Sequence, residues 1–516
     1  MSLNNFELNL MKYIQECNVL NLNFAQNKFL KTINSLKRNI YNINSYLPLE
    51  KKFIILDNKI YSKINYNDFL LFLKKLELKD YQPLKEERIS LIIVQSFFNS
   101  ILNKTEVYNE IGISLSTLKK DTLEVKNILE KNQLKMLIKP KKGISIEGNE
   151  LSFRFLVCEN LLNLTDIEEN NLISRGSNTP LENFIAALAL KNINSFLKDA
   201  FLILDNILIN SKTKISFTSK RFFIIYIALT LYRQNKNKII ENTKILNLNY
   251  FYFEIFNNIN ENIALSYLFL SLDFTCKSFT CVDKNILELS DFLLVELQNK
   301  IITKIQFNNE FKYEIYEFLY KNIIRSHLGY ELYDTKLDNT ETILNNLYNI
   351  LKQLLKIVAK KYSITFSFSQ IATLTIITKK YITKSKIVGR NKKKILIISN
   401  SSIEKLEFFV ERLKLYLEVE VVGYLTIEEL DKISLFKFDT IITFSNRIKL
   451  ILENKGLSSL KLSFYLENNH IENLLKLGFS RTNRKILTKT IAEKLENKSA
   501  NEIESILKKY YPDIFI

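Results

Sequence analysis

The sequence predicts a mainly α-helical chain of several domains that ends in a small α/β domain with a parallel sheet. Its 516 residues are enough for roughly three to five domains of ordinary size. Glycine and proline are scarce, with 9 and 5 residues, which argues against loop-rich β architectures. Apolar residues follow a helical period over most of the chain and change near residue 392 to short apolar runs that alternate with helical segments.

The first 65 residues are predicted to fold as helices followed by a short β-hairpin. Two short apolar runs, 53–56 and 59–61, flank Asp57-Asn58, a dipeptide that favours tight hairpin turns. A helix within residues 23–47 would have an apolar face formed by Ile33, Leu36, Ile40 and Ile43. Its polar face would present Ser35, Lys37, Arg38 and Asn42.

Residues 66–148 repeat this plan with stronger signals. Gly112 lies where a tight turn between two helices requires positive φ. Ser114 or Ser116 is placed to cap the helix that follows. The helix before the turn would direct Val107 and Ile111 inward. The helix after it would bury Leu118, Val125 and Leu129.

Hydroxyl and basic side chains gather near the start of this second helix and in the strand pair after it. The helix carries Ser116, Thr117, Lys119 and Lys120. The strand pair around residues 137–146 carries Lys135, Lys139, Lys141 and Lys142, with Gly143 for the sharp return. A bent helix pair with a basic hairpin is typical of a winged helix-turn-helix, in which the helix meets base edges and the hairpin meets phosphates.

We therefore predict two winged helix-turn-helix units, residues 1–65 and 66–148, that bind double-stranded DNA. In the first unit the contacting side chains would be Ser35, Lys37 and Arg38. The alternative is that both segments are helical hairpins whose lysines only face solvent.

The remainder of the chain divides by pattern. Residues 150–280 and 285–385 are two long helical stretches of similar size. Residues 392–475 form the α/β domain, with strands at 394–398, 418–422 and 439–444 and a helix at 403–417. Residues 476–516 are a helical tail that opens with a basic cluster of Arg481, Arg484 and Lys485.

Composition narrows the classes of function. The formal net charge of +18 favours a polyanionic partner, although abundant lysine is also typical of AT-rich coding sequences. The four cysteines form no CxxC pair and no secretory segment is evident, so we expect a cytoplasmic protein. The longest apolar run, 222–232, is too short to span a membrane. No metal motif, cofactor loop or catalytic constellation is recognisable, and we expect neither an enzyme nor a cofactor.

At the end of the second unit the sequence resembles a known family. Residues 142–148, Lys-Gly-Ile-Ser-Ile-Glu-Gly, followed by Glu150 and Arg154, are similar to the junction of PRD-containing transcription regulators. These include the Mga-type virulence regulators and the mannitol- and lichenan-type activators related to BglG. The resemblance implies two helix-turn-helix units, two helical PTS-regulation domains (PRDs), and an EIIB-like domain, an order that fits nearly the whole chain.

The resemblance also identifies positions where this chain departs from the family. Residues 213–233 resemble the first PRD's helix, with Tyr226 at the phosphoacceptor histidine position and Arg233 at the family's arginine. In the second PRD, Asn322 falls at or beside the histidine position and His327 lies nearby. In the EIIB-like domain, Ser399 follows the first strand, where active domains carry a nucleophilic cysteine.

These departures argue against a phosphotransferase, since only two histidines occur in the chain. PTS phosphocarrier proteins are partners that the family implies, but the usual phosphorylation switch lacks its acceptors here. We expect a DNA-binding regulator, an activator by resemblance, that dimerises through the PRD and EIIB-like domains. The alternatives are an RNA-binding antiterminator, whose family shares the PRDs, and an interaction scaffold that has lost DNA contact.

Overall fold

The fold is mainly helical and contains a small parallel sheet, as the sequence predicts. A computed structural model describes residues 2–243, 251–276, 283–301, 308–332, 337–384, 393–477, 479 and 502–504. The chain separates into two compact units. The first comprises Met1–Cys281 and Ile324–Leu332, and the second comprises Val282–Ile323 and Tyr333–Ile516. Among the described helices, none combines the length and apolar character that a membrane span needs.

The first module, residues 3–61, contains three helices and a small antiparallel sheet. In chain order its elements are β1 (Leu3–Asn4), α1 (Asn5–Cys17), β2 (Val19–Asn21), α2 (Leu22–Phe29), α3 (Ile33–Ser45), β3 (Ile54–Leu56) and β4 (Lys59–Tyr61). The sheet has the strand order β2-β4-β3. Asp57 and Asn58 both take positive φ, of 46° and 58°, in the turn between β3 and β4. The predicted hairpin is therefore confirmed.

A short segment connects the first module to the next. It contains α4 (Tyr66–Lys75) and β5 (Tyr81–Gln82). Strand β5 pairs in parallel with β1, so the segment returns to the beginning of the chain.

The second module, residues 85–148, repeats the order of the first. Its elements are α5 (Lys85–Phe98), α6 (Lys104–Glu110), α7 (Leu115–Lys131), β6 (Leu134–Lys139) and β7 (Gly143–Gly148). Between α5 and α6, Leu102 forms an antiparallel bridge to Ile144, at the place where β2 pairs with β4 in the first module. Both modules thus consist of a helix, an extended segment, two helices and a hairpin.

The rest of the first unit is a helical body with two small antiparallel strand pairs. Its elements are α8 (Glu150–Leu164), β8 (Thr165–Glu168), β9 (Asn171–Ser174), α9 (Pro180–Ser211), β10 (Lys214–Ile215), α10 (Phe217–Gln234), α11 (Ile259–Leu270) and β11 (Phe274–Cys276). Neither strand pair, β8–β9 or β10–β11, was predicted from the sequence. Their strands are only two to four residues long, too short to interrupt a helical pattern visibly.

The second unit begins with helices and continues into the parallel sheet. Its helices before the sheet are α12 (Lys284–Lys300), α13 (Asn308–Leu328), α14 (Thr340–Ile343), α15 (Asn345–Tyr362) and α16 (Phe368–Lys384). The elements that follow are β12 (Lys393–Ile398), α17 (Ile403–Leu413), β13 (Val419–Leu425), β14 (Thr440–Thr443), α18 (Asn446–Asn454), β15 (Ser459–Lys461) and α19 (Asn468–Lys476).

The C-terminal sheet is parallel throughout, in the order β13-β12-β14-β15. Its three predicted strands are confirmed, and β15 is a fourth that was not predicted. The core on one side of the sheet contains Leu396, Ile398, Ile441 and Leu452. Most of the predicted C-terminal tail, including Arg481, Arg484 and Lys485, lies outside the described residues.

Candidate nucleic-acid interface

The bend between α6 and α7 is built by local signals that the sequence displays. Gly112 takes a φ of 69°, and its N–H donates to the Asn109 carbonyl at 3.1 Å. Ser114 caps α7, because its Oγ accepts a hydrogen bond from the Thr117 N–H at 3.3 Å. Ser116 is therefore not the cap but an exposed residue of the first helical turn.

A buried polar network fixes α7 against the two helices before it. The Arg88 guanidinium on α5 donates to both carboxylate oxygens of Asp121 on α7, at 2.7 and 3.3 Å. The Tyr108 hydroxyl on α6 donates to Asp121 Oδ2 at 2.9 Å. Burial raises the pKa of Tyr108, and the Asp121 carboxylate raises it further, so the phenol stays protonated. One carboxylate thus joins three helices and sets their angles.

The outer face of α7 is basic near its beginning. Lys119 and Lys120 are exposed, whereas Thr117 is half-buried with its hydroxyl 3.0 Å from Ser114 Oγ. The inner face buries the three predicted residues, Leu118, Val125 and Leu129. The exposed side of this helix therefore offers hydroxyl and ammonium groups rather than carboxylates at its N-terminal end.

The acidic residues of α7 are matched by cations. Asp121 is paired with Arg88. The Glu124 carboxylate lies 3.0 Å from Lys85 Nζ, and Glu130 lies 3.8 Å from Lys126 Nζ. The helix consequently keeps the charges of Lys119 and Lys120 without compensation by its own carboxylates, which leaves a surface that attracts polyanions.

The hairpin after α7 is also basic, with one qualification. Lys135, Lys141 and Lys142 are exposed, but Lys139 Nζ lies 3.7 Å from the Glu147 carboxylate across the strand pair. Three lysines of the hairpin therefore carry unpaired charge among the described residues, and Lys139 carries a charge that Glu147 partly offsets.

Gly143 takes a positive φ of 130° directly after the hairpin turn, as a glycine that allows a sharp return would. The turn is made by Pro140 and Lys141, and Lys141 has a positive φ of 61°. Gly143 begins β7, where a Cβ atom would lie 2.1 Å from the Leu102 carbonyl oxygen. Glycine is required there because the strand passes so close to Leu102, which bridges to Ile144 through two hydrogen bonds of 2.8 Å. This contact holds the hairpin beside the start of α6.

The first module presents fewer of its predicted side chains. Arg38 is exposed on α3, whereas Ser35 and Lys37 are half-buried. Asn42 does not face outward, because its Nδ2 donates to Glu7 on α1 at 2.8 Å. Ile33 is only half-buried, although Leu36, Ile40 and Ile43 are buried as expected.

The positions suggested by resemblance in the first unit lie inside its helical body. Tyr226 on α10 is fully buried and stacks on Phe155 with ring centroids 5.1 Å apart. Burial raises the pKa of its hydroxyl. Arg233 makes two contacts with Glu150, at 2.6 and 2.8 Å. His327 is half-buried with its ring edge-on to Tyr267.

The two positions in the second unit are buried as well. Asn322 on α13 donates from Nδ2 to the Phe318 carbonyl of its own helix at 2.7 Å. Ser399 follows β12, and its Oγ accepts from the Ser401 N–H at 3.1 Å. Neither side chain is exposed to a phosphocarrier in this arrangement. No cluster of metal-ligating side chains is present among the described residues.

Two further exposed residues on the outer face of α7 were not predicted from the sequence. Leu123 and Asn127 are exposed there, in line with Ser116 and Lys120. Their spacing from Ser116, seven and eleven residues, is the helical signal that identifies them.

Comparison with known protein families finds a match over the second module. Residues 76–160 match the family described as the Mga helix-turn-helix domain. The match supports a Mga-like regulator that binds DNA through a helix-turn-helix. A search of the curated proteins finds no match for this chain.

Proposed function

We propose that this protein is a cytoplasmic transcriptional regulator that binds duplex DNA mainly through the second module. The observation that carries the proposal is the exposed basic start of α7, held at a fixed angle to α6 within the matched residues 76–160. Because a helix N-terminus with hydroxyl and basic residues suits a major groove, α7 acts as the recognition helix.

The hairpin β6–β7 serves as the wing of this unit. Lys141 and Lys142 lie at its tip, where ammonium groups would contact backbone phosphates on either side of the groove that α7 enters. Lys139 contributes less, since Glu147 partly neutralises it. Ser116, Thr117, Lys119 and Lys120 are the proposed DNA-contacting residues at the start of α7, where the two lysines would contact phosphates.

The first module is a second winged helix with a supporting part in DNA binding. Its order of elements and its β2-β4-β3 sheet match those of a winged helix. Arg38 is its best-placed phosphate ligand, followed by the half-buried Lys37 and Ser35. Two DNA-binding modules in one chain raise the affinity for DNA, because binding of the first module raises the effective concentration of the second at the DNA.

The helical and α/β regions are proposed to be PRD-like and EIIB-like. The parallel sheet with β12 at an inner position and Ser399 just after it supports the EIIB-like assignment. The buried Tyr226 and Asn322 support a regulator that no longer uses phosphohistidine at these positions. We propose that these regions pair two chains and that the dimer activates transcription, an expectation that rests on the family resemblance.

Direct binding tests the proposal. The full chain is titrated against promoter fragments and against a hairpin RNA of equal length, at several salt concentrations, with anisotropy as the readout. We expect duplex DNA to bind more tightly than RNA, with affinity that falls steeply as salt rises, because phosphate contacts release counterions. Preference for the RNA would support an antiterminator. Failure to bind any duplex at low salt would contradict the proposal.

A further inference from the structure

The outward side of α7 carries a single line of four residues. Ser116, Lys120, Leu123 and Asn127 are separated by four, three and four positions, which places them on one side of an α-helix. They lie opposite the buried face of Leu118, Val125 and Leu129. All four are exposed. We call this line the outer stripe.

Leu123 is the apolar residue of the outer stripe, and Leu115 in the first turn of the same helix is exposed as well. Leu123 is 62% exposed, although the helix has a complete apolar face on its other side. Lys119 and Lys120 flank it, so an apolar protein partner would bring two ammonium groups into its interface at a high desolvation cost. A partner that binds both the two ammonium groups and the leucine side chain must have negative charge beside a small apolar surface.

The major groove of DNA has this combination. Phosphates line its edges, and the thymine C5 methyl group is the apolar feature on its floor. A carboxamide such as that of Asn127 matches the N6 donor and N7 acceptor of adenine. Asn127 lies one helical turn after Leu123 and makes no hydrogen bond within the described chain, so its amide is free for such a contact.

We infer that Leu123 and Asn127 are specificity-determining residues that select an A·T-containing step, with Leu123 against a thymine methyl and Asn127 on a nearby adenine. The inference rests on the proposed function and deepens it. Lys119 and Lys120 supply affinity through phosphates, and the two uncharged residues supply sequence preference. The bound site must therefore contain thymine at a fixed position relative to the contacts of α7.

Replacement of thymine by deoxyuridine in a bound fragment tests this inference, because it removes only the methyl group. Single replacements are scanned across the fragment with the wild-type protein and with Leu123→Ala. We expect one or two replacements to weaken wild-type binding about fourfold, the effect of losing one buried methyl. Leu123→Ala should bind natural DNA about as weakly as the wild type binds the substituted fragment. It should no longer distinguish thymine from uracil at those positions.

Leu202→Ala is the matched control, since Leu202 is also an exposed leucine in the middle of a helix, α9, and is 54% exposed. This variant should keep the full response to deoxyuridine. A second arm uses 7-deazaadenine near the sensitive thymines, which should weaken the wild type about fivefold or more and leave Asn127→Ala unaffected.

The outcomes distinguish failure of this inference from failure of the proposed function. Wild-type binding that is tight but indifferent to every deoxyuridine replacement overturns the inference and leaves the proposed function standing. Full thymine preference in Leu123→Ala also overturns it. Absence of duplex binding by the wild type overturns the proposed function and the inference together.

Discussion

The two N-terminal modules share one order of elements but differ in what holds their helices together. In the second module, the charged pair Arg88–Asp121 is buried and joins α5 to α7, with Tyr108 of α6 on the same carboxylate. In the first module, the corresponding helices are joined by amide hydrogen bonds. Asn42 on α3 donates to Glu7 on α1, and Asn44 makes two hydrogen bonds with the Phe53 backbone before β3.

The two modules also differ in the basic side chains that their surfaces expose. The second module exposes Lys119 and Lys120 at the start of α7 and further lysines in its hairpin. The first module's hairpin has a single lysine, Lys59, and exposes Ile54 and Leu56, and its α3 exposes Arg38 but half-buries Lys37. Together with the proposed function, this comparison favours the second module as the main DNA-binding module and the first as an additional DNA contact.

The largest loss of stability is expected from removal of the Asp121 carboxylate, which Arg88 and Tyr108 share. Asp121→Ala removes the carboxylate partner of the mostly buried Arg88 guanidinium, which keeps a hydrogen bond to the Pro83 carbonyl, and the acceptor of the buried Tyr108 hydroxyl. We expect the free energy of unfolding of this part of the chain to fall by about 3–5 kcal/mol, the usual result of breaking a buried ion pair. Chemical denaturation with circular dichroism measures it.

Glu124→Ala is the control for that variant on the same helix. The Glu124–Lys85 pair is exposed, so we expect a loss of under about 1 kcal/mol. Equal losses in Asp121→Ala and Glu124→Ala would contradict the view that the buried network fixes α7.

Charge reversal should reveal which module dominates DNA binding. Lys119→Glu with Lys120→Glu should weaken duplex binding about a hundredfold at moderate salt, because two attractive phosphate contacts become repulsive. Lys37→Glu with Arg38→Glu in the first module should weaken it about tenfold or less. Lys360→Glu with Lys361→Glu, an adjacent exposed pair on α15, is the matched control and should have little effect. A larger loss from the first module than from the second would reverse the comparison.

The position of the hairpin depends on Gly143. Gly143→Ala adds a Cβ against the Leu102 carbonyl to the strain of a positive φ of 130°, and we expect about 3 kcal/mol of destabilisation as the strands separate. At Gly112, nothing lies within 4 Å of an added Cβ, so Gly112→Ala should cost only the strain of positive φ, about 1 kcal/mol. Thermal unfolding of both variants measures the difference, and equal costs would show that the close approach to Leu102 is unimportant.

The smallest of these effects is expected in the first module. Asn42→Ala removes the hydrogen bond to Glu7 and should lower the free energy of unfolding by about 1 kcal/mol, the ordinary value for one such bond. Urea denaturation compares it with Asp121→Ala. A loss as large as that of Asp121→Ala would mean that the two modules are equally rigid.

Local signals allowed much of this fold to be predicted from the sequence. Gly112, Ser114 and the Asp57-Asn58 turn act on their immediate neighbours, and the structure contains each of the turns and caps that they indicate. The parallel sheet was predictable because buried strands are continuous apolar runs such as 394–398.

Contacts between distant residues were not predictable in the same way. The inward orientation of the Asn42 side chain depends on Glu7, 35 residues earlier. The need for glycine at position 143 depends on the nearby Leu102 carbonyl. Glu150 and Arg154 appear in the sequence as parts of a family motif. In the structure Glu150 contacts both Arg154 and Arg233, and Arg154 is fully buried against Glu261. Such partners are fixed by packing across the chain rather than by local pattern.

Amide hydrogen exchange of the full chain, with and without a bound duplex fragment, tests the central claim most directly. We expect bound DNA to slow exchange most in α7 and in the β6–β7 hairpin, with weaker slowing in α3. DNA that is bound while α7 and this hairpin exchange unchanged, with protection elsewhere in the chain, would contradict it.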